Sequence, residues 1–141
     1  MKGIYCLIIF LQKGDEIKVG GLGYIEFREG YYIYIGSALN SLESRIERHL
    51  SKDKRLYWHI DYLLEKADVI GVVVLNTDKR VECEIGERLA TEFGCIKDFG
   101  SSDCRCRSHL FYSEEDPTEK VKGIISGYGD VLKIGVSPSN I

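Results

Sequence analysis

The order of apolar and polar residues predicts several strands along this chain. Residues 3–11 and 69–76 are almost continuously apolar and rich in β-branched side chains, which is typical of buried strands. Residues 31–35 are rich in tyrosine and isoleucine and predict a third strand. Residues 17–27 alternate loosely around several glycines, a pattern that predicts a hairpin. Two further short strands are expected at residues 109–112 and 131–136.

Apolar residues recur at helical spacing between these strands and predict three amphipathic helices. Before the first helix, Asn40 with Glu43 three residues later has the pattern of a capping box. The third helix is expected to begin at Glu82 and to end at Gly94, and a fourth helical segment is expected at residues 117–123. The apolar stripes of the first three helices consist of Leu42, Ile46, His49 and Leu50; of Leu56, Ile60, Leu63 and Leu64; and of Ile85, Gly86, Leu89, Ala90 and Phe93.

These elements predict one α/β domain of the α+β kind. We expect a small, mainly antiparallel central sheet built on residues 3–11, 31–36 and 69–76, with helices flanking it and the hairpin as an insertion. A length of 141 residues is that of a single domain, with a core at 3–95 and a C-terminal extension at 96–141. Hydrophobic residues at 44% and charged residues at 29% are ordinary for a soluble protein.

The sequence also predicts the cellular location of the protein and the redox state of its cysteines. No apolar run is long enough for a membrane span, and the start lacks the apolar region of a signal peptide, so a cytoplasmic protein is expected. An odd number of cysteines without an export signal favours reduced thiols over a disulfide framework. The five cysteines are Cys6, Cys83, Cys95, Cys104 and Cys106.

The net charge of −3 argues against general coating of nucleic acid, because affinity for phosphate comes mainly from lysine and arginine. The basic residues are nevertheless clustered between Arg45 and Arg55. A basic face on an acidic protein can still bind nucleic acid. The residues expected to form this face are Arg48, Lys52, Lys54 and Arg55.

Two tripeptides on predicted strands carry the strongest functional signal. They are Gly3-Ile4-Tyr5 and Tyr34-Ile35-Gly36, and the helix after the second one places Arg45 and His49 one turn apart. Glu82 follows at the start of the third helix. In this order and spacing, the chain resembles the GIY-YIG endonuclease superfamily over roughly residues 3–95.

A narrower likeness extends over nearly the whole chain. It is to an uncharacterised prokaryotic branch of that superfamily, whose members are sometimes fused to an endonuclease III-type glycosylase. The matching stretches are residues 57–64, 82–83, 99–100, 103–106 and 109–111. The chain departs from compact superfamily members in its long connection between the tripeptides, residues 6–33. The inserted hairpin is expected to add a surface beside the site that could select substrates.

The resemblance implies a DNA phosphodiesterase that uses one divalent metal ion, Mg²⁺ or Mn²⁺. Arg45 would hold the scissile phosphate, since a guanidinium stays charged and binds phosphate oxygens in pairs. Tyr5 or Tyr34 would activate water, provided that nearby cations favour the phenolate form. Glu82 would carry the metal. Each of these side chains also has an ordinary structural interpretation, as a packing tyrosine, a solvated arginine or an acid in the first turn of a helix.

Two histidines are further candidates for catalysis. His49 lies on the same side of its helix as Arg45 and could orient water or protonate the leaving oxygen, or could be sealed in the core. His59 follows Arg45 at a distance where some superfamily members have a functional histidine, or it makes a structural hydrogen bond. Glu84 is a reserve candidate for the metal ligand.

A second kind of metal site is conceivable in the C-terminal part. Cys104, Cys106 and His109, with Cys83 as a possible fourth ligand, look like part of a structural Zn²⁺ site. The one-residue gap between the first two cysteines is poor geometry for zinc, so buried thiols and a structural turn are the expected alternative.

Two functions follow from these observations. The first is a structure-selective DNA endonuclease with a role in repair, with RNA not excluded as a substrate and a repair protein as a possible partner. The second is a catalytically silent module that binds nucleic acid or protein on the same scaffold, which the acidic composition and the insertion favour. A binding module has no need of Glu82.

Overall fold

The computed structural model describes residues 1–100 and 108–135, which form an antiparallel sheet with helices on both faces and a separate hairpin. The predicted α+β architecture is confirmed, and every strand pair of the described residues is antiparallel. The elements are β1 Gly3–Leu11, β2 Asp15–Lys18, β3 Tyr24–Phe27, β4 Gly30–Ala38, α1 Leu42–Leu50, α2 His59–Leu64, β5 Asp68–Asn76, α3 Glu82–Glu92, β6 Gly94–Cys95, β7 Leu110–Ser113, α4 Thr118–Ile125 and β8 Val131–Gly135.

Strand β1 lies in the middle of the main sheet, whose order is β6-β7-β4-β1-β5-β8. Its alternate residues enter two different cores. Tyr5 and Leu7 face the core that α1, α2 and the hairpin cover, whereas Ile4 and Cys6 face the core beneath α3 and α4. A strand that is covered on both faces has no solvent side, which explains the nearly continuous apolar sequence of β1.

The insertion between the tripeptides forms a hairpin, as predicted. Strands β2 and β3 pair with each other alone and make a second, two-stranded sheet. Ile17, Val19 and Phe27 bury their side chains in the first core, and Phe27 packs edge-on against Phe99 at 6.3 Å. The hairpin therefore completes the core.

The structure differs from the sequence-based prediction at the starts of two helices. Helix α1 begins at Leu42, and the residue before it is Ser41, which adopts the left-handed conformation (φ 49°, ψ 46°) without a capping side chain. The capping box predicted at Asn40 is therefore wrong. Helix α2 begins at His59, so Leu56 of the predicted stripe lies before the helix. The carboxylate of Asp61 caps the helix by accepting hydrogen bonds from the backbone N–H groups of Tyr57 and Trp58, the two residues before it.

The C-terminal part belongs to the same sheet as the core. Strand β7 pairs with β4, and β8 pairs with β5. Both strands were expected from their sequence, but their positions on opposite sides of the sheet were not. In the part of the chain that the structure describes, no helix has the length and apolar character needed to cross a membrane.

Candidate active site

One cleft at the end of the central strands collects side chains from five elements. β1 and β4 contribute a tyrosine each, α1 an arginine, and the first residues of α2 and α3 a histidine and a glutamate. The cleft is lined by Tyr5, Tyr34, Arg45, His59 and Glu82, together with Gly36, Ser37, Tyr57, Trp58, Gly100 and His109. Of the residues predicted to act in catalysis or to hold the metal, only His49 does not line it.

The two glycines of the tripeptides make room for this arrangement. A β-carbon on Gly36 would lie 2.5 Å from Cζ of Tyr5, so only glycine lets the phenol pass beneath β4. A β-carbon on Gly3 would overlap the backbone oxygen of Leu75 on β5. Both glycines are thus required by close packing between β1 and its neighbours.

The Tyr5 hydroxyl connects the cleft to a buried histidine. It lies 2.7 Å from Nε2 of His49, which is only 2% exposed. Nδ1 of His49 has no hydrogen-bond partner among the described residues. Burial, with the nearby Lys54 cation, lowers the pKa of His49 to about 3, so this imidazole is neutral. His49 therefore does not line the cleft, and its burial agrees with the alternative considered for it, a histidine sealed in the core.

The phenolate form considered for the two tyrosines is disfavoured, because both side chains are buried. Tyr5 is 1% exposed and Tyr34 is 8% exposed. Burial raises the pKa of both phenols well above the ordinary value, although the Arg45 guanidinium opposes the rise. Both tyrosines are therefore neutral hydrogen-bonding groups, and nearby cations do not convert them to phenolates in the free protein.

Arg45 is held over the cleft by a backbone oxygen and an aromatic ring. Its Nη1 donates to the carbonyl of Ser37 at 3.2 Å, and its guanidinium lies 4.7 Å from the centre of the Trp58 ring. No carboxylate of the described residues forms a salt bridge with it. The guanidinium consequently keeps donors free for an anion.

Glu82 is fixed between a hydroxyl and an imidazole. Oε1 accepts a hydrogen bond from the Ser37 hydroxyl at 2.7 Å, and Oε2 lies 3.3 Å from Nδ1 of His109. His109 is buried, which lowers its pKa, whereas the Glu82 charge acts in the opposite direction. The carboxylate remains partly exposed, at 23%. Glu84, the reserve candidate, is exposed on another face of α3 and does not line the cleft.

His59 has a defined tautomer. Its Nδ1 accepts a hydrogen bond from the backbone N–H of Gly100 at 2.8 Å, so the neutral ring carries its proton on Nε2. Burial lowers the pKa of His59, which favours the neutral ring. The structural hydrogen bond considered for His59 is present, and the residue also lines the cleft, while its catalytic role stays a prediction.

The predicted basic face is largely neutralised within the protein. Both terminal nitrogens of Arg48 donate to the carboxylate of Asp61 at 3.0 Å, and Asp61 is completely buried. Burial alone would raise the pKa of Asp61, but the Arg48 guanidinium and two backbone N–H groups hold it below its usual range. Arg48 is therefore a structural cation.

The two lysines of this cluster donate hydrogen bonds to backbone carbonyls. Nζ of Lys52 donates to the carbonyls of Leu64 and Ala67, and Nζ of Lys54 donates to the carbonyls of Arg48 and His49. None of the four predicted basic residues lines the cleft. Arg55 alone among them has no acidic partner in the described part of the chain, and it lies beside Tyr57 in a neighbouring hollow.

The donor set of the cleft fits a magnesium-type ion, whereas the zinc site stays a prediction. Mg²⁺ is often held by one carboxylate, with water and substrate phosphate as its other ligands, and Glu82 is such a carboxylate. No cluster of three or more potential ligands occurs among the described residues. Cys104 and Cys106 lie outside the described residues, and His109 faces Glu82. Cys83 forms a disulfide bond, contrary to the expected reduced state, whereas Cys6 and Cys95 are free thiols.

Three residues of the site had no predicted role. Ser37 joins Arg45 to Glu82, Trp58 carries the Arg45 guanidinium, and Asp61 neutralises Arg48. Ser37 directly follows the second tripeptide, and Asp61 lies in the first turn of α2. A polar residue at each of these positions was the signal in the sequence that could have suggested a role. The contact of each with its partner depends on tertiary structure that periodicity does not encode.

No residue of the hairpin lines the cleft, so the expected effect of this insertion on substrate choice stays a prediction. Phe27 of the hairpin packs against Phe99, whose ring packs in turn against Tyr34 and His59.

Comparison with known proteins gives one family. No curated protein and no solved structure matches the chain. The family described as a domain of unknown function, DUF123, matches residues 4–129, which includes every residue of the cleft. This chain therefore belongs to the DUF123 family.

Proposed function

We propose that this protein is a divalent-metal-dependent DNA phosphodiesterase of the GIY-YIG type, a structure-selective cytoplasmic endonuclease that serves repair. The observation that carries the proposal is the meeting of these side chains in one cleft. Five groups of suitable chemistry come from five elements and meet in one cleft, including an arginine that has no acidic partner among the described residues and a glutamate already oriented by two neighbours. Packing alone gives no reason to gather these groups at one end of the sheet.

Arg45 and His59 are the proposed contacts to the phosphodiester. The free donors of Arg45 bind the non-bridging oxygens and stabilise the charge that develops on them in the transition state. The Nε2 proton of His59, fixed by the Gly100 hydrogen bond, is available to a phosphate or leaving oxygen. These donors act without reorganising, because protein contacts already hold both side chains.

The Tyr5–His49 pair is the proposed path for the proton of the attacking water. The phenol oxygen accepts a proton from water while the phenol proton passes to Nε2 of His49 over 2.7 Å. In the free protein the imidazolium is disfavoured, but negative charge on a bound phosphate favours it. Tyr34, on the neighbouring strand, also lines the cleft and is the second proposed contact of this water.

Glu82 is the proposed ligand for the metal. Its two neighbours, Ser37 and His109, fix the orientation of the carboxylate while leaving part of it exposed to the cleft. A bound Mg²⁺ or Mn²⁺ would supply charge stabilisation for the leaving oxygen.

One observation favours the alternative, a catalytically silent module that binds nucleic acid or protein. Three of the four clustered cations are engaged inside the protein, so the surface offers less positive charge than the sequence suggested. A nuclease must still hold its substrate, and high affinity for DNA normally requires several free cations. Activity measurements separate the two functions.

The decisive experiment compares Glu82→Gln with Glu84→Gln. Both variants lose one carboxylate within the same turn of α3, but only Glu82 lines the cleft. Mg²⁺-dependent cleavage should be measured on branched, flapped and single-stranded DNA, with RNA as a further substrate. We expect Glu82→Gln to abolish cleavage while it retains DNA affinity, and Glu84→Gln to cut like the wild type. If the wild type cuts no substrate with Mg²⁺ or Mn²⁺, the nuclease proposal is rejected.

Arg45→Ala supplies a second, independent measurement. Loss of this guanidinium should lower both affinity and rate, with the rate falling by about a hundredfold or more. Arg88→Ala, on the exposed side of α3, is its matched control and should change neither quantity.

A further inference from the structure

We propose that the exposed ring of Tyr57, with the Arg55 guanidinium beside it, is a stacking site for an unpaired nucleobase of the bound strand. This inference rests on the proposed function, because the position of the scissile phosphate in the cleft defines where the neighbouring nucleotide lies. It adds a substrate class: a strand with at least one unpaired base next to the cleavage point.

The stacking site is a hollow that shares a wall with the cleft. Arg48, Arg55, Tyr57 and Trp58 line the hollow, and the two aromatic residues also line the cleft. A strand whose phosphate contacts Arg45 can therefore place its next nucleotide over Tyr57 without crossing another element.

Tyr57 has the free aromatic face, and Trp58 does not. The Trp58 ring is covered by the guanidinium groups of Arg45 and Arg48, at 4.7 Å and 4.4 Å from its centre. The Tyr57 ring packs edge-on against the Trp58 ring, with 90° between the ring planes and 5.7 Å between their centres. Tyr57 is nevertheless 72% exposed. A large aromatic ring that is exposed beside a polar cleft offers a π-face on which any base can stack.

The backbone beneath Tyr57 is fixed before any ligand binds. Oδ2 of Asp61 accepts the N–H groups of Tyr57 and Trp58, both at 2.8 Å, and Arg48 holds the same carboxylate from the other side. A ring on a fixed backbone loses little conformational entropy when a base stacks on it, which is the advantage of preorganisation.

Arg55 provides the charge that a nucleotide requires. Its carbonyl accepts a hydrogen bond from Nη2 of Arg48 at 3.1 Å, which fixes its backbone next to the hollow. Its side chain is exposed and has no carboxylate partner in the described ranges. Aromatic stacking beside a cation that contacts the backbone phosphate is the usual way in which proteins bind single strands.

The test measures affinity in EDTA, where the full-length protein cannot use a divalent metal. The probes are an oligonucleotide duplex with a single-stranded flap, carrying 2-aminopurine at the junction, and the same sequence fully paired, each prepared as DNA and as RNA. We expect Tyr57→Ala to weaken flap binding about tenfold and to remove the quenching of 2-aminopurine, while affinity for the paired duplex is unchanged. Tyr57→Phe should behave like the wild type.

The matched control is Tyr24→Ala, because Tyr24 is similarly exposed, at 68%, on the hairpin and lines neither the cleft nor the hollow. If Tyr57→Ala binds and quenches the flap as the wild type does, or if it weakens paired and flapped probes equally, the stacking site is rejected while the nuclease proposal stands. If the flap depends on Tyr57 but no probe is cut with Mg²⁺, the stacking site stands and the nuclease proposal fails. The DNA and RNA arms identify which strand the site accepts.

Discussion

At the scale of single residues, the tripeptides combine a reactive group with the space it needs. Tyr5 reaches the cleft because Gly36, its partner across the two strands, has no side chain. Tyr5 also keeps His49 from the cleft, because the phenol and the imidazole are hydrogen-bonded behind its wall. The glycine and the tyrosine of opposite tripeptides are therefore one structural unit, a relation that their separation in sequence conceals.

Gly36→Ala tests this unit. The new methyl group would lie 2.5 Å from Tyr5 Cζ, so the ring must move and its hydrogen bond to His49 must lengthen. We expect a loss of about 1–3 kcal/mol in the free energy of unfolding, the usual cost of overpacking, and a loss of cleavage larger than this destabilisation explains. Urea unfolding and cleavage rates measure the two effects. Gly21→Ala, at a site with open space around it, should alter neither.

At the scale of elements, the sequence predicted the strands and helices better than it predicted their charge contacts. Strand β1 was predicted with its observed bounds, because buried strands carry a strong apolar pattern. The start of α1 was predicted wrongly, because Ser41 takes a left-handed conformation that its residue type does not announce. The predicted basic face is largely neutralised for a different reason. Asp61, on another helix, forms an ion pair with Arg48, and spacing along the chain does not show such a contact between helices.

Asp61→Asn tests the importance of that neutralisation for the loop before α2. The variant leaves Arg48, whose side chain is 30% exposed, without its counter-charge, and a lost hydrogen bond to a charged group typically costs about 1.5–3 kcal/mol. We expect a fall of that order in the free energy of unfolding, together with weaker flap binding, because Tyr57 and Trp58 lose their shared acceptor. Asp53→Asn, on the exposed part of the same loop, should change stability by no more than about 0.5 kcal/mol.

At the scale of the whole molecule, acid should destabilise the fold before its carboxylates are protonated. All three histidines have lowered pKa values because they are buried, and the pKa of His49 falls to about 3. A histidine that stays neutral in the folded state is protonated first in the unfolded state. Its contribution is therefore complete above the ordinary pKa near 6.5 and is lost progressively as the pH falls toward 3.

We expect His49 alone to reduce the free energy of unfolding by about 2 kcal/mol between pH 7 and pH 5. Urea titrations at several pH values measure this slope. His49→Phe removes the titrating group while it fills the space, so the slope should become shallower even if the variant is less stable at pH 7. An unchanged slope would show that the pKa of His49 is the same in the folded and the unfolded protein, which would contradict this prediction.

The central position of β1 also affects when the protein can act during its synthesis. This strand leaves the ribosome before both of its neighbours, since β4 begins at Gly30 and β5 at Asp68. It must wait for partners that are distant in sequence, which makes folding slow and leaves an apolar strand exposed meanwhile. Glu82 joins the cleft only after β5 has been made. Under the proposed function, a nascent chain that holds the tyrosines and the arginine without Glu82 lacks the metal ligand, so it should not cut DNA before α3 has been made.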